Sequence, residues 1–309
     1  KKIIKTINNK IKIKDFHGLS IDTRNLKKNN LFVTIKGKNR DGAKFASYAI
    51  KKGARYIVSS RNIKKYKNKT IKVNNEIQFL NRFASQKREN TNAKIIAITG
   101  SAGKTSLKNL IKDLLKNYGE TYGSPKSYNN QFGVPISLSQ LELKHKFGVF
   151  EIGMSKPGEI NFLSRIIRPH IGIITNIGEA HIENFKNLKG IANAKGEIIN
   201  NIEERGTIIL NRDDKFFKYL KDKAEIKKLK IISFGMRKNS DVFPLAISQN
   251  KQNVKLSIND QILNLKFKNL NIYNILASVA LLRELNLDIK KITTYVKNYE
   301  PSDGRGKIH

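Results

Sequence analysis

The run Ile95-Ile-Ala-Ile-Thr-Gly-Ser-Ala-Gly-Lys-Thr-Ser106 constrains this chain more than any other stretch of it. Ile95 to Ile98 is a short apolar run of the kind that forms a buried strand. It passes directly into Gly100, Ser101, Ala102, Gly103, Lys104, Thr105 and Ser106. Leu107, Leu110, Ile111, Leu114 and Leu115 then fall on one face of a helix. A strand, a glycine turn and a helix N-terminus form an anion cradle, because glycines let backbone N–H groups approach a phosphate closely. Lys104 supplies the neutralising charge, and the Thr105 hydroxyl is placed to ligate Mg²⁺. The motif departs from the common G-x-x-x-x-G-K-[ST] form, since Ile98 stands at the first glycine position. A glycine turn with a chance lysine is the plain alternative.

The pattern of elements predicts an α/β protein in two domains. Residues 1–92 read as a small α/β unit with strands at Leu31–Ile35 and Tyr56–Val58. Helices follow at Phe45–Ile50 and 77–88, and the basic stretch Arg61–Thr70 reads as exposed loop. Residues 93–300 read as a central domain with a mostly parallel sheet covered on both faces. Its strands are expected at Ile95–Ile98, Phe147–Ile152, Ile171–Thr175, Thr207–Leu210 and Ile231–Phe234. Its helices are expected at Ser106–Asn117, Glu159–Ile167, Leu188–Asn200, Asp214–Leu220 and Tyr273–Leu285, with a β-rich excursion at 242–267. Residues 301–309 read as a linker.

Composition narrows the function classes. There is no Cys, which removes disulfides and thiolate metal sites and favours a cytoplasmic home. No apolar run is long enough to span a membrane, and the polar start Lys1-Lys2 does not resemble a signal peptide. The sequence does not begin with Met, which suggests a fragment. The net charge of +35 comes from 60 Lys+Arg against 25 Asp+Glu. A basic surface for nucleic acid or anionic membrane is one reading. A residue bias toward Lys, Asn and Ile is the other, and the even scatter of lysines without an aromatic–basic motif favours it.

Further residues could carry chemistry. Glu151 closes a buried strand, where open α/β sheets keep their ligand crevice, so it is either a Mg²⁺ ligand or a rim carboxylate in an ion pair. The run Thr175-Asn-Ile-Gly-Glu-Ala-His181 follows another strand; His181 could bind metal, and Asn176 or Glu179 could hold substrate or water. Asn129 and Asn130, before Gly133-Val-Pro135, suit either a ligand loop or a plain turn. Lys195 lies within a helix, where a lysine is ordinarily a solvated surface charge. Gly18–Arg24 and Lys36–Gly42 are turns of open meaning.

Together these motifs resemble the Mur ligases, the ATP-dependent amide-forming enzymes of peptidoglycan synthesis. The resemblance rests on Thr99–Ser106, Asn129–Pro135, Glu151–Ile160, Thr175–Glu183, Ala194–Ile198 and Asn271–Ala277. Asp22-Thr-Arg24, Leu31–Gly37 and Asp41-Gly42 add to it. It implies a UDP-binding first domain with Thr23 and Arg24 at the uridine nucleotide, and Asn129 and Asn130 on substrate. It implies ATP on Gly100–Ser106, with Asn274 near the adenine and Arg305 also at the nucleotide. Two Mg²⁺ sites are implied from Thr105, Glu151, His181 and Lys195, the last carbamylated by CO₂; Lys104, Lys195 and His181 are then the catalytic set. The implied reaction joins D-alanyl-D-alanine to UDP-N-acetylmuramoyl-tripeptide through an acyl phosphate, in a cytoplasmic monomer with no nucleic-acid partner and no membrane insertion. A related ligase adding one amino acid, or a basic nucleic-acid-binding NTPase, are the alternatives. Lys268 and Leu270 replace a family Gly-x-His, and Ala43 replaces a family His. A third, C-terminal family domain is expected to begin near Gly304-Arg305.

Overall fold

The computed structural model describes residues 15–37, 40–180, 182–248, 253–258, 261–267, 270–297 and 299. The chain forms two compact units. The first comprises residues 1–91 together with 131–143, and the second comprises 92–130 and 144–309.

The first unit carries a four-stranded parallel sheet in the order β1-β2-β3-β4. Its strands are β1 (Leu19–Ser20), β2 (Leu31–Val33), β3 (Tyr56–Ser59) and β4 (Thr70–Lys72). Helices α1 (Ala46–Lys51) and α2 (Glu76–Glu89) accompany it. Asn75 starts α2 by accepting from the Ile77 and Gln78 N–H groups, as an N-cap does. Glu76 then reaches back and accepts from the Ser60 N–H and hydroxyl at 2.7 and 2.9 Å, tying the helix to the end of β3. The stretch Arg61–Thr70 holds short helical turns at Lys64–Lys69, and Thr70 begins β4.

Helix α3 (Lys104–Leu115) and strand β5 (Lys94–Thr99) open the second unit. Helix α4 (Gly133–Ser139) sits in the first unit, although a contiguous domain was expected from 93 to 300. The Gly-Val-Pro sequence reads as a turn, yet every residue of α4 is buried. Proline at its third position leaves the helix intact because the first-turn N–H groups have no intrahelical partner. Gln140 just beyond it donates to the Leu19 carbonyl at 2.9 Å, and Lys87 of α2 donates to the Leu141 carbonyl at 2.9 Å.

The second unit is built on a six-stranded sheet of order β10-β9-β8-β5-β7-β6, all neighbours parallel. The strands are β6 (Thr121–Gly123), β7 (Phe147–Glu151), β8 (Ile171–Ile174), β9 (Thr207–Asn211) and β10 (Lys230–Phe234), with β5 at the centre. Helices α5 (Glu159–Ile167), α6 (Leu188–Gly196) and α7 (Phe217–Ile226) link them. The Ile-rich strands are buried on both faces, as parallel strands covered by helices must be. A three-stranded antiparallel sheet follows, from β11 (Pro244–Ile247), β12 (Asn253–Ile258) and β13 (Gln261–Lys266), and then α8 (Ile272–Glu284) and α9 (Lys291–Lys297). One apolar core joins α3, the six-stranded sheet, the antiparallel sheet and α8. The order of strands reverses direction at β5, so the sheet splits its connections there and leaves a crevice at the carboxyl ends. Among the described residues, no helix is long and apolar enough to cross a membrane.

Leu138 of α4 is fully buried within the first unit. Leu138→Ala should cost about 2–5 kcal/mol. Hydrogen exchange should place the loss of protection in α2 and β1–β4, with β5–β10 unchanged; protection lost in the second sheet instead would contradict this partition.

Candidate active site

The carboxyl ends of β5, β7, β8 and β9 converge on the loop Gly100–Gly103. Gly100 has φ of +145°, and a Cβ there would stand 1.9 Å from Thr175 Oγ1, so only glycine fits. Gly103 takes φ of +79° and starts α3. The segment after β8 braces the loop. The Ser101 N–H donates to the Asn176 carbonyl at 2.9 Å, and the Ala102 N–H to Asn176 Oδ1 at 2.9 Å. Ser101 Oγ donates to the Gly178 carbonyl and accepts from the Gly178 N–H, while Thr175 Oγ1 donates to the Ala102 carbonyl at 2.7 Å. Asn176, expected on substrate or water, thus serves the loop itself.

Two lysines meet at one carbonyl oxygen. Lys104 Nζ donates to Gly100 O at 2.7 Å and to Ser101 O at 3.3 Å. Lys195 Nζ, carried by α6, donates to the same Gly100 O at 3.0 Å. Asn187 caps α6 by accepting from the Gly190 N–H, which fixes where Lys195 emerges. On spacing alone Lys195 reads as a surface charge; the structure leaves it only 2% exposed. Burial first, and the positive charge of Lys104 second, push its amine down to about 7.

Glu151 ends β7 and is 1% exposed. It is not a rim ion pair: Thr105 Oγ1 donates to Oε2 at 2.7 Å, and Asn129 Nδ2 donates to Oε1 at 2.7 Å. The Asn129 carbonyl in turn accepts from the Gly153 N–H at 2.8 Å. A carboxylate and a hydroxyl held together beside a phosphate-type loop form a hard oxygen donor set of the kind Mg²⁺ takes. Asn130 is exposed beside it. His181 and Arg305 lie outside the described residues, as does Lys268. Among the described residues, no group of three His, Cys, Asp or Glu side chains could hold a metal by itself.

A cleft of about 320 Å³ adjoins the loop, lined by Ala102, Gly103, Asn176, Asn211, Tyr273 and Asn274, among others. Asn274 is 6% exposed, and its Oδ1 lies 3.4 Å from where a Gly103 Cβ would be. Asn271 caps α8 by accepting from the Tyr273 N–H. Asp213 accepts from the Tyr273 hydroxyl at 3.1 Å and the Met236 N–H at 2.5 Å. Burial, with the neighbouring Asp213 charge, raises the Tyr273 hydroxyl above its usual range. Sequence reasoning missed Asn211, Asp213 and Tyr273. The signal available was that Asn211 ends a strand on the same edge of the sheet as Glu151.

In the first unit, Thr23 and Arg24 form a tight turn. Asp22 accepts from the Arg24 guanidinium at 2.5 Å and from its N–H at 2.9 Å, which holds the Asp22 carboxyl below its ordinary range. Lys52 Nζ donates to the Thr23 and Arg24 carbonyls at 2.8 and 3.0 Å. Asp41 grips Arg61 bidentately at 2.5 Å and accepts from the Ala43 N–H.

The Mur ligase middle domain model matches residues 98–282, and the model described as Mur ligase family, catalytic domain matches residues 15–88. The chain belongs to the Mur ligase family. A UDP-N-acetylmuramoyl-tripeptide--D-alanyl-D-alanine ligase from Buchnera aphidicola is 37% identical over 78% of this chain and 52% of its own length. The ligase of that name from Rickettsia prowazekii is 34% identical over 94% of this chain and 66% of its own. The chain therefore spans about half to two-thirds of these relatives. The crystal structure of MurF from Acinetobacter baumannii superposes with a TM-score of 0.88 at 26% identity, covering 98% of this chain and 68% of that one.

The match to the Mur ligase middle domain takes in the glycine loop, Glu151, Lys195 and Asn274. Gly100→Ala should destabilise the protein by about 2–4 kcal/mol in chemical denaturation, because it adds strain and a clash against Thr175. Gly158 has φ of +86° but open space around its Cβ position, so Gly158→Ala should cost only about 1–2 kcal/mol. Equal costs at the two positions would contradict the close packing of the loop.

Proposed function

We propose that the protein is an ATP-dependent amide ligase of peptidoglycan precursor synthesis, joining D-alanyl-D-alanine to UDP-N-acetylmuramoyl-tripeptide. The observation that carries this reading is the pairing of Lys104 and Lys195 on the Gly100 carbonyl, beside the Thr105–Glu151–Asn129 cluster. The names of the Buchnera and Rickettsia relatives supply the substrates.

In this reading the ATP phosphates lie on Gly100, Ser101, Ala102, Gly103, Lys104, Thr105 and Ser106, at the N-terminus of α3. Lys104 leaves the Gly100 and Ser101 carbonyls to meet them. The adjoining cleft takes the nucleoside, with Asn274 near the adenine. Thr105 and Glu151, with His181 and modified Lys195, are the residues that would hold Mg²⁺ in two sites, and the metal would supply charge neutralisation for phosphoryl transfer. The terminal carboxylate of the tripeptide takes the γ-phosphoryl group and ADP leaves. The D-alanyl-D-alanine amine then attacks the acyl phosphate, and the tetrahedral intermediate expels phosphate. The chain's own residues act mainly by position and by fixed positive charge. Thr23 and Arg24 hold the uridine nucleotide, Asn129 and Asn130 border the substrate, and Arg305 joins the nucleotide. ATP and a UDP-linked precursor place the reaction in the cytoplasm. In this reading the ligase works as a monomer.

The depressed Lys195 amine supports carbamylation. A neutral amine attacks CO₂ carbon, an N–C bond forms, one proton leaves, and a carbamate anion results. Its buried position argues the same way, since a cation there is desolvated and repelled by Lys104.

Lys104→Ala should weaken MgADP binding roughly a hundredfold in calorimetric titration. Phosphate release from ATP should require both UDP-N-acetylmuramoyl-tripeptide and D-alanyl-D-alanine, with no response to single amino acids. Unchanged nucleotide affinity, or release driven by one amino acid, would contradict the reading.

The Lys195 pH response follows from the sign of its shift. The folded amine titrates below the ordinary lysine range, so it is protonated in acid and neutral above about 7. With isotopically labelled bicarbonate, a carbamate signal should grow between about pH 6 and about pH 8 and be absent in Lys195→Met. No signal in the wild type at the upper pH would contradict the modification.

A further inference from the structure

Lys108 stands one turn beyond Lys104 on α3, and its side chain is 1% exposed. Taking an ammonium out of water is costly unless strong acceptors surround it, so a buried lysine in a helix marks a constraint that an apolar residue would not meet. Its Nζ donates to the Ser124 carbonyl at 2.7 Å and to the Lys126 carbonyl at 2.6 Å. Both acceptors belong to the segment that follows β6 and leads to Asn129. That segment does not hold itself straight: Lys126 takes a left-handed φ of +47°, unfavourable for a side-chain-bearing residue. Ser124 adds a second tie, since its hydroxyl accepts from the Glu151 N–H at 3.3 Å and its own N–H donates to the Val149 carbonyl at 2.9 Å. Five residues beyond Ser124, Asn129 donates to Glu151 Oε1.

We propose that Lys108 is a positioning residue for the cation site: its ammonium clamps the Ser124–Lys126 backbone so that Asn129 holds the Glu151 carboxylate toward Thr105. The proposal rests on the reading of Thr105 and Glu151 as Mg²⁺ ligands. One helix then serves both halves of the site. Lys104 at its first turn faces the phosphates, and Lys108 at its second sets the carboxylate through the loop. The path is continuous and short: Nζ to two carbonyls, four residues of loop, one amide, one carboxylate oxygen. Charge carries part of the effect, because ammonium-to-carbonyl bonds are stronger than neutral ones and direct the carbonyls firmly.

The test is ADP binding by calorimetry, with and without Mg²⁺, in the wild type, Lys108→Met and Asn129→Ala. Methionine keeps the length and apolar volume of the stem and removes the donors. Lys108→Met should lose about tenfold in the Mg²⁺-dependent gain in affinity, while Mg²⁺-free ADP binding stays within about twofold. Asn129→Ala should show the same selective loss, and the double variant should be no worse than either single one, because the residues act in series. A role confined to stability would lower the melting temperature without separating the two affinities, and that result overturns the inference. Asn129 is only half-buried, so its variant keeps the fold. Should Lys108→Met fail to fold, an undiminished Mg²⁺ gain in Asn129→Ala still overturns the inference. A wild type that binds ADP with no Mg²⁺ gain overturns the cation site itself, which is a different outcome from a variant that matches a Mg²⁺-responsive wild type.

Discussion

The Gly100 carbonyl oxygen is the point on which the site depends. It accepts from Lys104, four residues further along the same stretch of chain, and from Lys195 on a helix far along the sequence. Two amines cannot both be charged at such a point without cost, and the more buried one yields. Lys195 is the buried one, so its proton is the weaker held. The loop can offer that carbonyl only because Gly100 adopts a backbone shape that other residues avoid, pressed against Thr175. Sheet order, glycine choice and lysine chemistry are therefore one arrangement, and none can be altered singly.

Around that point the parallel sheet does the assembling. Its strands end on one edge, so residues separated by long stretches of sequence meet there: Thr99 at the end of β5, Glu151 at the end of β7, Thr175 just after β8, Asn211 at the end of β9. The braces are mostly backbone and amide bonds, from the Ala102 N–H to Asn176 Oδ1 and from Asn211 Nδ2 to the Thr175 carbonyl at 3.1 Å. A second brace runs from Glu197, which accepts from the Gly158 and Asn161 N–H groups at 2.8 and 2.9 Å. It ties the helix of Lys195 to the start of α5, a helix whose N-terminal N–H groups would otherwise lack partners.

Strands β7, β8, β9 and β10 were legible because each is a dense apolar run between turn residues, and β5 with α3 was legible because the glycine loop punctuates them. α7 lies at Phe217–Ile226 rather than from Asp214, since Asp214 turns its carboxylate to the Ile177 and Phe216 N–H groups and ends the approach to the helix. β1, β4 and β6 are two or three residues long and carry no periodic signal. α4 was hidden by its Gly-Val-Pro start, and its membership in the first unit is a long-range fact that no local pattern records. Glu151 and Lys104 could be read from motif and strand position. The burial of Lys195 could not, because a helix shows which face a residue occupies but not what covers that face. Lys108 escaped for the same reason.

The most direct test is a crystal structure of the protein with ADP and Mg²⁺. The β-phosphate should lie on the Gly100–Thr105 loop, with Lys104 Nζ moved from the Gly100 carbonyl to phosphate oxygen and Lys195 still buried beside it. ADP bound elsewhere, or Lys104 unmoved with ADP present, would contradict the account.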